Sequence, residues 1–154
     1  MEIKNLRENP EHLERLAIWH HNQWGYLNIK NTLEKRLEQM QRHLKDNIIP
    51  STFIALDESL LLGSAAIVES DMDTKPELTP WLASVYVDSE ARGKGVGSVL
   101  VQCVMERAKN NGVKKIYLYT PDKESFYNRM GWETIEKAEY RGENVAVMEF
   151  TFAK

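Results

Sequence analysis

An apolar run, Trp81–Val87, meets an amphipathic helical pattern at 95–111 through a turn with glycine at every second position, Gly93, Gly95 and Gly97. No other stretch restricts the fold as strongly. Val96, Val99, Leu100, Cys103, Val104 and Ala108 recur at the spacing of one helical face, and Gly112 supplies a left-handed stop. Each glycine in a helix start costs up to ~1 kcal/mol, so three in five residues point to a backbone that must come close to something. Main-chain N–H groups with no β-carbon in the way, at the positive end of a helix dipole, suit an anion. Arg92 and Lys94 add full positive charges to the same turn.

The flanking sequence sets this strand, turn and helix in a mixed order. Residues 3–7 read as a first strand ended by Asn9-Pro10, and Leu13, Leu16, Ala17, His20 and Trp24 then recur at helical spacing up to Gly25. A second helix is expected over 31–46, with Leu33, Leu37, Met40 and Leu44 on one stripe and its charged residues forming a solvated face. Beyond Pro50, 53–56 and Leu60–Val68 read as a hairpin turning at Asp57-Glu58-Ser59, and a polar connection over 70–80 leads into the strand at 81–87. After the long helix come a strand at 116–120, a short helix at 122–130, and a hairpin of 132–139 with 144–152. Only one parallel crossover is available, from Val87 to Ile116, so the fold class is α+β and residues 1–154 are expected to form one domain.

Composition removes several function classes. A formal net charge of −3 supplies no basic field for nucleic-acid phosphates. No run approaches the ~18–20 apolar residues of a membrane span, and the opening residues have no signal-peptide core, so no membrane partner is expected and the location expected is cytoplasmic. The single cysteine, Cys103, sits at an apolar helical position and reads as a small core residue. His20 and His21 are adjacent and face different sides of their helix, so no metal is expected.

Three phosphate-binding readings compete for the glycine turn. The nucleoside triphosphatase loop fails at two positions, where Asp88 replaces its first glycine and Gly95 its hydroxyl residue. A dinucleotide fingerprint fails on spacing: five residues separate Val87 from Gly93, and its third glycine is out of place. The third pattern, Arg/Gln-x-x-Gly-x-Gly/Ala, belongs to the GNAT acyltransferase superfamily, which this sequence resembles at Arg92, Gly95 and Gly97. A second segment, Phe126-Tyr127 followed by Gly131-Trp132, resembles that family's Phe-Tyr-x-x-x-Gly-Phe motif with tryptophan in the last place.

The resemblance implies a mixed, mainly antiparallel twisted sheet of about seven strands flanked by about four helices and split at a V-shaped wedge. It implies acetyl-CoA as co-substrate, with Arg92, Gly93, Lys94, Gly95, Val96, Gly97 and Ser98 around the diphosphate. Val85, Tyr86 and Val87 would bond the pantetheine arm, and Thr120 stands where the family often has a cofactor-contacting asparagine. Tyr127 matches the family tyrosine beside the coenzyme sulfur, and a departing thiolate needs such a proton donor. The expected activity is direct N-acetyl transfer to a primary amine on a small molecule or peptide, by a monomer or homodimer. A catalytically silent acyl-CoA sensor is the alternative. Thr120, Asp122, Phe126 and Tyr127 also resemble the branch containing the actin N-terminal acetyltransferase, which leaves the subgroup open. Trp19, Trp24 and Tyr26 would line the acceptor mouth or serve as core aromatics. No residue stands out as the base, although Glu77, Ser84 and Tyr86 lie near the strand and Trp81 and Ala83 hold positions where relatives sometimes carry a glutamate.

Overall fold

A computed structural model describes residues 1–25 and 32–152. Strand β1 (Glu2–Asn5) is followed by helices α1 (Leu13–Trp24) and α2 (Leu33–Gln41), then by strands β2 (Ser51–Asp57), β3 (Leu60–Val68) and β4 (Trp81–Val87). Helix α3 (Val96–Asn110), strand β5 (Lys115–Thr120), helix α4 (Glu124–Arg129) and strands β6 (Glu133–Tyr140) and β7 (Glu143–Thr151) complete the chain. This is the order read from the sequence. Helix α2 starts where the Thr32 hydroxyl accepts from the Lys35 N–H; Asn31, the other residue of the expected start, lies outside the described residues. The helix is shorter than expected, because residues 42–44 tighten into a 3-10 turn and Lys45 is extended.

The strands form one seven-stranded sheet in the order β1-β2-β3-β4-β5-β7-β6. Every neighbouring pair is antiparallel except β4 and β5, which are parallel. Helix α3 covers one face, burying Val96, Leu100, Val101, Val104 and Ala108 against Ala65, Ile67, Leu82, Ile116 and Leu118. On the opposite face, α1 and α2 cover the β1–β3 side through Leu16, Ala17, Met40, Ile54 and Leu56. A third cluster of Met72, Trp81, Tyr140, Val145 and Val147 lies under the loop before β4, with Tyr117 and Tyr119 packed on it.

Two features of β4 shape the middle of the sheet. Its parallel ladder with β5 is limited to Trp81 opposite Tyr117, next to a Tyr117 N–H to Pro80 carbonyl bond of 3.0 Å. Beyond that point the strands part, and the edge of β4 from Leu82 to Val87 that faces β5 has no strand partner among the described residues. On its other side the register against β3 slips between Ser64 and Ala66, so Ser84 and Val85 form a bulge, and Ser84 takes a positive φ of 54°. A bulge adds local bend and twist, which opens the wedge. Close approach of β3 to β4 at that level needs Gly63, where a Cβ would press on the Tyr86 carbonyl oxygen.

Candidate active site

The wide end of the wedge is lined by the glycine turn. Gly93 (φ 78°) and Gly95 (φ 80°) are left-handed, and a Cβ at either would meet nothing within 4 Å. Their freedom therefore serves backbone direction, not tight packing. Gly95 is the N-cap of α3 and brings no side chain to the cap. Val99 N–H makes the bond to the Gly95 carbonyl (3.2 Å), so the amides of Val96, Gly97 and Ser98 precede the first intrahelical bond and keep their donors for another partner. Arg92 ties the turn to the strand: its Nε–H donates to the Val87 carbonyl (3.0 Å) and its guanidinium lies 5.9 Å from the centre of the Tyr86 ring. Lys94 is exposed on the same turn. Of the seven turn residues singled out in the sequence, Val96 is buried in the core while Arg92, Gly93, Lys94 and Gly95 are exposed and Gly97 and Ser98 half-buried; Val85 and Val87 on β4 pack against that core.

Across the wedge, α4 presents Tyr127. This residue is buried, with its ring edge-on to Phe126 at 4.9 Å and to Trp132 at 6.0 Å. Burial, aided by the negative charge of Asp122, pushes the phenol above its ordinary value, so it holds its proton at neutral pH. Thr120 is buried at the end of β5, and its hydroxyl accepts from the Lys123 N–H at 2.9 Å. That bond sets the chain's entry into α4 and hence the position of Tyr127.

On the face of the sheet away from α3, a polar chain joins four elements at the bulge. Ser64 Oγ–H donates to the Ser84 carbonyl (2.9 Å), so the Ser64 oxygen accepts from His20 Nε2–H (2.9 Å). His20 Nδ1 then accepts from Arg36 Nη2–H (2.6 Å), and the second Nη2 proton reaches Ser84 Oγ (3.1 Å). The donors run in one direction, which fixes His20 as the neutral Nε2–H tautomer. Burial first, then the charges of Arg36 and His43, drive its pKa well below the usual imidazole value. Trp19, Trp24 and Tyr86 stand beside this chain, with Tyr86 5.4 Å from Trp19 and 6.0 Å from Trp24. Tyr26 lies outside the described residues.

Asp71, in the loop after β3, belongs to the same neighbourhood. Burial raises its carboxyl to about 7, against the pull of Arg36 and then Arg141. Its charge is also felt by Tyr119 on β5, whose phenol is pushed up mainly by burial. Glu77 is exposed, Ala83 is buried, and Trp81 is spent on the core with its indole N–H on the Leu78 carbonyl at 2.6 Å. Sequence reasoning missed Arg36, Ser64 and Asp71. Arg36 is half-buried, against the solvated helix face expected of the charged residues there, and nothing local in the sequence marks the other two.

The family model described as "Acetyltransferase (GNAT) family" matches residues 13–132. The chain is 34% identical over 85 residues to N-alpha-acetyltransferase 30 of Schizosaccharomyces pombe, which covers 53% of this chain and 56% of that protein; it thus spans about half the length of that relative. Among solved structures, an aminoglycoside 6'-N-acetyltransferase complexed with coenzyme A superimposes with a TM-score of 0.75 at 17% identity, covering 98% of this chain and 97% of the other. A ribosomal-protein-alanine N-acetyltransferase from Brucella melitensis gives 0.72 at 19%, covering 99% and 100%. At such identities these two show the fold alone, but the family match extends from α1 through the glycine turn to Trp132, and on that match the chain belongs to the GNAT acetyltransferase family.

Proposed function

We propose that this chain transfers an acetyl group from acetyl-CoA directly to a primary amine. One observation carries the reading: the edge of β4 that has no strand partner among the described residues leads to a turn whose left-handed glycines, Gly93 and Gly95, have open space beside them and whose next three amides are not used by intrahelical bonds. Acetyl-CoA supplies the activated thioester when bound. The amides of Val96, Gly97 and Ser98, with Arg92 and Lys94, suit its diphosphate, and Gly93 and Gly95 leave room for it. The β4 edge at Val85, Tyr86 and Val87 suits an extended amide-bearing arm, which would add to the sheet as a strand does.

The chain's own groups account for the protons. An alkylammonium near pKa ~10.4 must lose a proton before it can attack. Asp71, at about 7, is matched to take it near neutral pH. His20 is unsuited to that task, because its Nδ1 lone pair is held by Arg36 and its Nε2 proton by Ser64. The amine nitrogen bonds the acetyl carbon and the carbon–sulfur bond breaks; Tyr127 gives its proton to the departing sulfur, and the proton that the acylated nitrogen sheds as it becomes an amide returns through solvent to Tyr127.

The test is release of free thiol from acetyl-CoA with a panel of amines, the product followed by mass spectrometry. Acceptor-dependent release with a matching mass gain on the amine is expected. Coenzyme binding with no turnover on any amine would instead favour the silent sensor.

A further inference from the structure

Arg36 is a half-buried guanidinium with no counter-ion among the described residues. No carboxylate among the described residues lies within 4.0 Å of it, although seven ion pairs are formed elsewhere. Its Nη2 is fully used by His20 and Ser84. Its Nε is buried with no partner. Nη1 has no bond to any of the described residues. A buried donor left unmade costs roughly 1–3 kcal/mol, more for a charged group, so a guanidinium in this condition calls for an anion.

Its place says which anion. The Nη2 bond to Ser84 Oγ puts the guanidinium at the bulge of β4, on the α1/α2 face, opposite the side covered by α3. That face is where the amine must come in if the thioester lies along β4. An anion seated on Arg36 therefore lies a few bonds from the reacting nitrogen. The opposite charge is provided too, because Asp71 is within electrostatic reach of the same guanidinium without pairing with it.

We propose that the acceptor carries a carboxylate two to four bonds from its reacting amine, the carboxylate held by Arg36 and the amine directed toward Asp71 and the Ser84 bulge. This rests on the acetyl-transfer reading of the same site and names its substrate class. Two sources have that chemistry: the α-carboxylate of a free amino acid, and the side-chain carboxylate of an acidic residue at a peptide N-terminus. A polycation of the aminoglycoside kind would set positive charge against Arg36 and is disfavoured.

The experiment compares matched acceptors: a free amino acid against its amide, and a peptide amide beginning with Asp against one beginning with Asn. Acceptor binding in the presence of CoA is followed by the fluorescence of Trp19 and Trp24, alongside turnover. At least one carboxylate-bearing member should be favoured by ten-fold or more in Kd or KM over its uncharged mate, and the favoured pair identifies the source. Arg36→Gln should bring that ratio close to one; Arg36→Lys, with charge but no fork, should fall between. Equal use of both members by the unmodified chain, a best acceptor that is a polyamine or aminoglycoside, or an equal loss on all acceptors in a folded Arg36→Gln would overturn the proposal. Calorimetry with CoA on the same samples separates this from failure of the underlying reading, since a chain that does not bind CoA fails there first.

Discussion

At the scale of single residues the site depends on protons held in unusual places. Tyr127 keeps its proton because burial disfavours the phenolate. Tyr127→Phe should therefore lower kcat by ~10²–10⁴-fold, the usual range for a general acid, with CoA affinity unchanged by calorimetry; unchanged turnover would remove the tyrosine from the chemistry. The histidines give a second test. His20 lies well below the usual value and His43 is lowered to about 4, chiefly by burial. Below pH ~6.5 the unfolded chain takes up these protons and the folded chain does not, so their contribution is complete above ~6.5 and is lost as pH falls, by up to ~1.4 kcal/mol per pH unit for each. Asp71 has the opposite sign: its carboxyl is raised to about 7, so it favours the folded state in acid and loses that contribution as pH rises from ~4 to 7. Two histidines outweigh one aspartate, and the melting temperature should fall between pH 6.5 and 4.5. Asp71→Asn should steepen that fall, and a flat profile in the variant would contradict the buried neutral histidines.

At the scale of elements, a strand that is bulged on one side and unpaired on the other delivers the glycine turn to the wedge. The turn was legible in the sequence because Gly93, Gly95 and Gly97 stand out at spacing that a helix start does not favour. The bulge was not, since Ser84 and Val85 look like any strand residues and only the slip against Ser64 reveals them. The same limit hid Arg36 and Ser64. A helical charge pattern reports solvent exposure only on average, and the chain of bonds through Arg36, His20, Ser64 and Ser84 joins residues separated by as many as 48 positions. Gly95→Ala tests the element directly. At φ 80° an alanine costs ~1–2 kcal/mol, and its methyl would project into the open space above the turn. CoA affinity should drop by ten-fold or more while thermal melting shows the fold retained; full affinity would mean the ligand avoids this loop.

At the scale of the whole molecule, element order and the single parallel crossover were enough to read an α+β sheet, because hairpins and one strand–helix–strand unit leave few alternatives. How the strands part was beyond reach, since it depends on pairing that stops at Trp81 and Tyr117. The outcome is a sheet that keeps a continuous core on the α3 face while its other face holds two separate clusters, one under α1 and α2 and one under the loop before β4. Arg36 belongs to helix α2 over the first cluster and Asp71 to the loop before β4 over the second, and each feels the other's charge; in the proposed function this is the face by which the acceptor enters. The central claim is that the main chain from Arg92 to Ser98 holds a diphosphate. A backbone amide NMR titration with coenzyme A tests it most directly: the largest shifts should fall on Gly93, Gly95, Val96, Gly97 and Ser98, with smaller ones at Val85 and Val87. Shifts confined to another part of the surface, or none at millimolar coenzyme, would contradict the account.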